Sequence, residues 1–271
     1  MVQHSVPALQ WKLLLPAMIS LTNRSYQKEM LDAPYIPFAD IRQNMKELNT
    51  INTYLGGHAI SIGGIKEILK SHPANKPLTV CEIGCGGGDN LKAIQQWCTR
   101  NLINISFTGI DLKPECIEFA KQQYPALKAQ WICSDYKTVQ FGNDKPDIIF
   151  SSLFCHHFEE DELVTMLQWM QQNSGAGFFI NDLQRHPLAY YAIKLITGIF
   201  SKSALVKNDA PLSVARGFKK WEWEKSIAAA GIADCTIQWK WAFRYLITAV
   251  SSRKSIPGGS TQDGFKKSGK Q

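Results

Sequence analysis

The stretch Thr79-Val80-Cys81-Glu82-Ile83-Gly84-Cys85-Gly86-Gly87-Gly88-Asp89-Asn90 decides the fold. An apolar run over residues 78–83 stops in a glycine cluster, and residues 90–99 then carry apolar side chains at helical spacing. That is a strand, a tight turn and a helix in succession. Glycines let the backbone turn sharply and bring its N–H groups close to a ligand. The helix that follows turns its positive end to the same place.

The spacing narrows the ligand. A dinucleotide fingerprint needs its third glycine where Asp89 stands. The run reads instead Glu82-x-Gly84-x-Gly86-x-Gly88. A carboxylate just before the first glycine repels a pyrophosphate, but it can hold a cationic amino group. S-adenosylmethionine (SAM) carries such a group and has no phosphate.

Working outward, the strand and helix rhythm repeats. Residues 105–110 form a strand ending at Asp111, and residues 114–123 a helix with Pro114 in its first turn. Residues 129–133 form a third strand ending at Ser134-Asp135, and residues 147–151 a fourth. A helix over 160–172 leads to a fifth strand, 177–180, ending at Asn181-Asp182. Residues 187–200 read as an apolar helix, 201–214 as a loop, and 218–230 as a helix stopped by Gly231. Residues 235–241 and 243–250 read as two strands able to pair antiparallel at a sheet edge. The expected fold class is α/β: a Rossmann-like, seven-stranded, mostly parallel sheet with helices on both faces and a terminal antiparallel pair.

Ligands of such sheets bind beyond the carboxyl ends of the strands. Asp111 there can accept both hydroxyls of a ribose, and Asp135 can accept from an adenine amino group. Either acid taken alone could equally cap a helix. Taken in order with the glycine turn, the acidic strand ends favour SAM.

Residues 80–89, 108–111, 132–136 and 146–151 resemble the successive motifs of class I SAM-dependent methyltransferases, and the likeness runs from about Leu78 to Val250. It implies that Glu82, Gly84, Gly86 and Gly88 surround the methionine end of SAM. It implies Asp111 at the ribose and Asp135 at the adenine, with Leu112, Tyr136 and Ser151 completing the cofactor set. A narrower resemblance is to a bacterial small-molecule subgroup associated with type III polyketide synthases and phenolic or quinone-like lipids. It rests on Arg24-Ser25, Glu29, Leu31-Asp32, Leu48-Asn49, Ile51-Asn52, Gly56-Gly57-His58, the run from Asn181 to His186, and Leu212-Ser213-Val214 with Arg216. It implies a role in secondary metabolism.

The acceptor belongs after the fourth strand, where His156 and His157 follow Cys155. Adjacent residues cannot share one helix face, so one histidine is expected at the acceptor and the other in packing. His157 is the candidate general base, with a structural, backbone-bonded histidine as the alternative. His156 and Arg185 complete the catalytic candidates. Arg185 could orient a polar acceptor or simply pair with Asp182. Arg216 and Arg244 are weaker candidates of the same kind. No His, Cys, Asp and Glu cluster has metal spacing, so no metal is expected.

Composition sets outer bounds. The 271 residues are 45% hydrophobic and 20% charged, enough for a packed core. The net charge is +7, and Arg253, Lys254, Lys266, Lys267 and Lys270 against Asp263 supply more than half of it. A basic tail without a basic, aromatic-rich stripe argues against nucleic acid. The 7 cysteines include no Cys-x-x-Cys pair, which suits a reduced cytoplasmic protein. Residues 6–21 are apolar but broken by Lys12 and Pro16, and lack a basic start or cleavage site. Met18 is an alternative start. The expected organisation is an N-terminal extension (1–22), a helical lid (23–77) with breaks at Pro34 and Pro37, the SAM-binding domain (78–250) and a disordered basic tail (251–271). The helix at 187–200, apolar nearly all round, needs cover on every side. It belongs under the N-terminal helices, in a greasy acceptor pocket, or at a membrane surface, so peripheral membrane contact stays open. A small-molecule acceptor is the expected partner, and the oligomeric state is left open. The competing classes are an NAD(P)-dependent oxidoreductase and a non-catalytic SAM-binding partner protein.

Overall fold

The computed structural model describes residues 21–71 and 77–251. The expectations for the N-terminal extension up to residue 20 and for the tail beyond 251 lie outside the described residues. Seven strands form one sheet: β1 (Leu78–Ile83), β2 (Ile105–Asp111), β3 (Ala129–Cys133), β4 (Ile148–Ser152), β5 (Gly177–Leu183), β6 (Cys235–Lys240) and β7 (Arg244–Val250). Their order is β3-β2-β1-β4-β5-β7-β6. The first five run parallel, while β7 lies antiparallel between β5 and β6. The order reverses between β1 and β4, and a crevice opens at such a switch point.

Alternation along the strands sends successive side chains to opposite faces. Leu78 and Val80 of β1 point to one face and pack with Phe107, Phe150, Phe179 and Leu246. The helices there are α2 (Gly57–Ser71) and α3 (Asp89–Arg100). They contribute Ile60, Ile65 and Ile68 from α2, and Leu91, Ile94 and Cys98 from α3. Cys81 and Ile83 point the other way, into a cluster with Phe178, Ile180 and Ile247. That face is covered by α5 (Glu160–Asn173) and α8 (Lys220–Ala229), through Leu163, Met166, Met170 and Trp223.

The helical N-terminal region divides in use. Its second helix, α2, is part of the sheet's cover. It passes without a break through Gly63-Gly64, and Gly64 lets it lie close on the sheet, since a Cβ there would fall 2.4 Å from the Phe179 ring. The first helix, α1 (Phe38–Tyr54), lies instead against α4 (Pro114–Gln123). Ile41 and Met45 meet Cys116 and Phe119 there. A short 3-10 turn at Met30–Asp32 precedes it.

Two expectations from the sequence are corrected. Residues read as a loop over 201–214 form α7 (Ala204–Arg216). Ser203 caps it through Val206 N, and Pro211 lies inside it. The polar residues and the proline hide a helix that packing stabilises: Leu205, Val206, Leu212, Val214 and Ala215 are all buried. The helix α6 (Pro187–Phe200) is not covered all round. It packs on α7 through Tyr190 and leaves Leu188, Tyr191, Leu195, Ile199 and Phe200 more than half exposed. Among the described residues no helix is long and apolar enough to cross a membrane.

Candidate functional site

A cavity of about 560 Å³ lies at the carboxyl ends of β1, β2 and β4, roofed by α1 and the turn before it. Glu82, Gly84, Gly86, Asp111, Leu112, Asp135, Tyr136 and His157 all line it. Other sequence candidates lie outside that lining, Arg216 and Arg244 among them. Gly88 caps α3, Ser151 is buried beside Cys155, His156 is buried behind His157, and Arg185 sits elsewhere.

The glycine turn is built for close approach. Gly84, Gly86 and Gly88 have φ of 66°, 49° and 75°, the left-handed region that other residues enter at a cost. A Cβ on Gly84 would fall 2.4 Å from the Phe154 ring, and one on Gly88 2.6 Å from Trp131. Asp111 accepts from Gly86 N at 2.8 Å and from Lys113 N at 2.9 Å, which fixes the carboxylate at the strand end. Asp135 accepts from Lys137 N at 2.9 Å, so it caps the turn Tyr136–Thr138 while facing the cavity.

Glu82 is 1% exposed. Asn90 Nδ2 donates to its Oε1 at 3.2 Å, and its Oε2 has no protein partner. Burial pushes its carboxyl well above the usual range, and the nearby Asp89 pushes it further. Burial also raises Asp111, against the hydrogen bonds from Lys113 and Gly86. A buried, unpaired carboxylate is costly unless a cation meets it. The amino group of SAM is such a cation, so the residues present fit that cofactor. A second network braces this end: His58 bridges Asn90 at 3.0 Å and Asn49 at 3.1 Å, and Arg244 donates to Asn52 at 2.9 Å.

The other end of the cavity is assembled from distant segments. The 3-10 turn Cys155–His157 brings the rings of His156 and His157 to 4.6 Å, tilted by 32°. One histidine, His157, lines the cavity and the other, His156, is packed behind it, yet the two rings stay side by side. A 3-10 turn is tighter than an α-helix, and Glu29 draws both rings to one side. His156 Nδ1 lies 2.7 Å from Asp182 Oδ1, and His157 Nδ1 lies 3.1 Å from Asp32 Oδ1. The two Nε2 atoms both face Glu29, at 3.5 and 3.7 Å. Burial alone would lower His156; Asp182 and Glu29 outweigh it and lift the imidazole to about 9. Burial opposes ionisation of Asp32, but His157 and Glu29 N hold its carboxyl down to about 2.

Two arginines lock this end from behind. Arg24 donates to the carbonyls of His156, Phe158 and Arg216. Arg216 donates to His156 O at 3.0 Å and His157 O at 2.8 Å. Arg185 does not pair with Asp182. Its guanidinium is buried against Glu222 at 2.7 Å and against the carbonyls of Leu21 and Gly217. Glu29, Asp32 and Arg24 have no chemical signature in isolation. What linked them beforehand was the narrower resemblance, whose Arg24, Glu29, Asp32, Asp182 and Arg216 all meet around the histidine pair.

Residues 80–177 match the family model of a methyltransferase domain. No curated protein matches the chain. Among solved structures, the plantazolicin methyltransferase BpumL with S-adenosylhomocysteine is similar at 16% identity and a TM-score of 0.58, covering 80% of this chain and 89% of that one. The same enzyme with a pentazolic desmethyl plantazolicin analogue is similar at 15% identity and a TM-score of 0.58, covering 79% and 91%. A Nostoc punctiforme protein described as a candidate O-methyltransferase is similar at 16% identity and a TM-score of 0.52, covering 75% and 58%.

Proposed function

From the premise that this chain is a class I SAM-dependent methyltransferase, with SAM as its cofactor, we propose that its acceptor is a small, hydrophobic aromatic molecule with a phenol- or quinol-like hydroxyl. One observation carries the reading: an imidazole, His157, stands with Asp32 in the wall of a cavity that Leu31, Pro34, Leu48, Phe154 and Phe158 also line. A pocket with many apolar walls and a few polar groups suits an aromatic ring bearing a hydroxyl.

SAM supplies an activated methyl group on a sulfonium. Glu82 holds its ammonium end, and Asp111 and Asp135 hold the nucleoside. The apolar walls exclude water and fix the acceptor in line, which can supply much of the rate. A phenol has a pKa near 10, by analogy with tyrosine. His157 Nε2 takes its proton as the oxygen–methyl bond forms, and Asp32 at Nδ1 steadies the imidazolium. His156, fully buried, positions His157 and Glu29.

The exposed apolar stripe on α6, with Lys194, Lys202 and Lys207 nearby, supports peripheral contact with an anionic lipid surface. A cytoplasmic setting and a role in secondary metabolism belong to the same proposal, as does a lid function for α1 and the turn before it. A radiolabelled-methyl assay tests the acceptor, comparing long-chain alkyl phenols and quinols with small polar phenols, with and without anionic vesicles. Faster turnover of the alkyl set, stimulated by vesicles, is expected. Equal or better turnover of the polar set, with no vesicle binding, would remove both the lipid-like acceptor and the membrane contact.

A further inference from the structure

The histidine pair and Glu29 have a second chemical meaning. His156 Nε2 lies 3.5 Å and His157 Nε2 3.7 Å from the two oxygens of Glu29, and the three ligand atoms lie within 4.8 Å of one another. Those separations are long for N–H···O hydrogen bonds, which centre near 2.9–3.0 Å. They are close to what one ion imposes: ligands at about 2.0–2.2 Å from zinc, in tetrahedral array, stand roughly 3.3 Å apart. The three ligand atoms, within 4.8 Å of one another, would draw in further around an ion.

The surroundings have the form of a metal shell. Metal-bound histidines usually give their other ring N–H to a carboxylate, which fixes ring and tautomer. Both histidines do so here, His156 with Asp182 at 2.7 Å and His157 with Asp32 at 3.1 Å. Glu29 accepts from Ser213 at 2.6 Å. Arg24 and Arg216 grip the carbonyls of residues 156–158, so the turn that carries the rings is held fixed.

We propose that Glu29, His156 and His157 bind one divalent transition-metal cation of the zinc class. Two imidazoles and one carboxylate suit such ions and not magnesium or calcium, which prefer oxygen. Three protein ligands leave a coordination position open. His157 is the ligand that also lines the cavity, so that position lies on the acceptor side. The cation occupies the lone pair that His157 otherwise offers as a base. Its part would then pass to the metal, which would hold the acceptor oxygen as its anion while the hydroxyl proton leaves to solvent water, much as zinc lowers the pKa of bound water to about 7. This consequence rests on the acceptor reading above, while binding of the cation does not.

The test titrates chelator-treated full-length protein with Co2+ and follows its visible absorption, with Zn2+ as competitor. One equivalent is expected to bind, in a low-symmetry nitrogen and oxygen site, and Zn2+ to displace it. Glu29→Gln and His157→Gln should abolish the signal while SAM binding persists. Should Glu29→Gln lose SAM binding and the fold with it, Asp32→Asn gives the answer, with an expected loss of about tenfold to a hundredfold in metal affinity. No stoichiometric binding, or binding undiminished in these variants, overturns the site. Full turnover of a phenolic acceptor by metal-free enzyme overturns its catalytic use alone. Tight Co2+ binding with no phenol methylated leaves the site standing and removes the acceptor.

Discussion

The two ends of one cavity are built in opposite ways. On the function proposed above, the cofactor end comes from a single continuous strand, turn and helix, with Asp111 and Asp135 at the next two strand ends. The acceptor end needs residues 24–32, the turn at 155–157, Asp182 and Arg216, brought together across 26 to 192 residues of chain. The first depends on local backbone geometry, the second on tertiary packing. A local device tolerates change elsewhere, because its own hydrogen bonds fix it. An assembled one makes each member depend on the others. Substitutions at the cofactor end should therefore act one at a time on SAM affinity, and those at the acceptor end should act as a block.

The largest effect expected is at His157. His157→Ala should lower turnover by about 10²–10⁴-fold, the usual range for loss of a group that handles the acceptor proton, with SAM affinity kept. Turnover within a few-fold of the parent, in a folded protein that binds SAM, would make His157 structural and dissolve the contrast between the ends.

Arg185→Ala should cost roughly 3–5 kcal/mol of stability, because it leaves Glu222 and several carbonyls without their buried partner. Denaturant melts read this directly. A stable variant with depressed turnover would return Arg185 to the acceptor.

Asp111→Ala should weaken SAM by about 1–3 kcal/mol through unpaired ribose hydroxyls, with little change in turnover at saturation. Calorimetry showing unchanged affinity would take Asp111 out of the cofactor site.

The smallest effect is a proton count. Glu82 and Asp111 are raised in the cofactor-free protein, chiefly by burial. SAM favours their ionised forms, so its binding should release protons. Its affinity should therefore fall as pH drops through their raised pKa values. Calorimetry in buffers of different ionisation enthalpy measures the release; proton uptake would reverse the assignment.

The same division explains what could be read in advance. The strands from Leu78 to Val250 were legible because short apolar runs alternate with helical patterns, and β1, β2, β3 and β5 end at or beside a glycine or an acid. α7 was not, because Pro211 and its polar residues mask a helix held by tertiary burial. The face of α6 was misread, since composition says that a helix is apolar and not which side is covered. Glu82, Asp111 and Asp135 announced themselves by position in a motif. Glu29 and Asp32 did so only through the narrower resemblance, for a carboxylate after Lys28 or after Leu31 has no local meaning of its own. Nor could a possible ligand set be seen in adjacent histidines, since the residue that draws them together lies 127 positions upstream of His156.

Arg24 reaches Arg216 across 192 residues, and Glu29 reaches Ser213 across 184. During synthesis the strap carrying Arg24 and Glu29 emerges early but must wait for almost the whole chain before its seat exists. Contacts of such long range form slowly, because loop closure is costly before they reward it. The glycine turn and its strand neighbours have no such wait. In refolding from denaturant, SAM binding should recover in a fast phase and methyl transfer in a slower one. Simultaneous recovery would mean that strap and sheet fold as one unit. Until the strap docks, the nascent enzyme is a SAM-binding protein without an acceptor site.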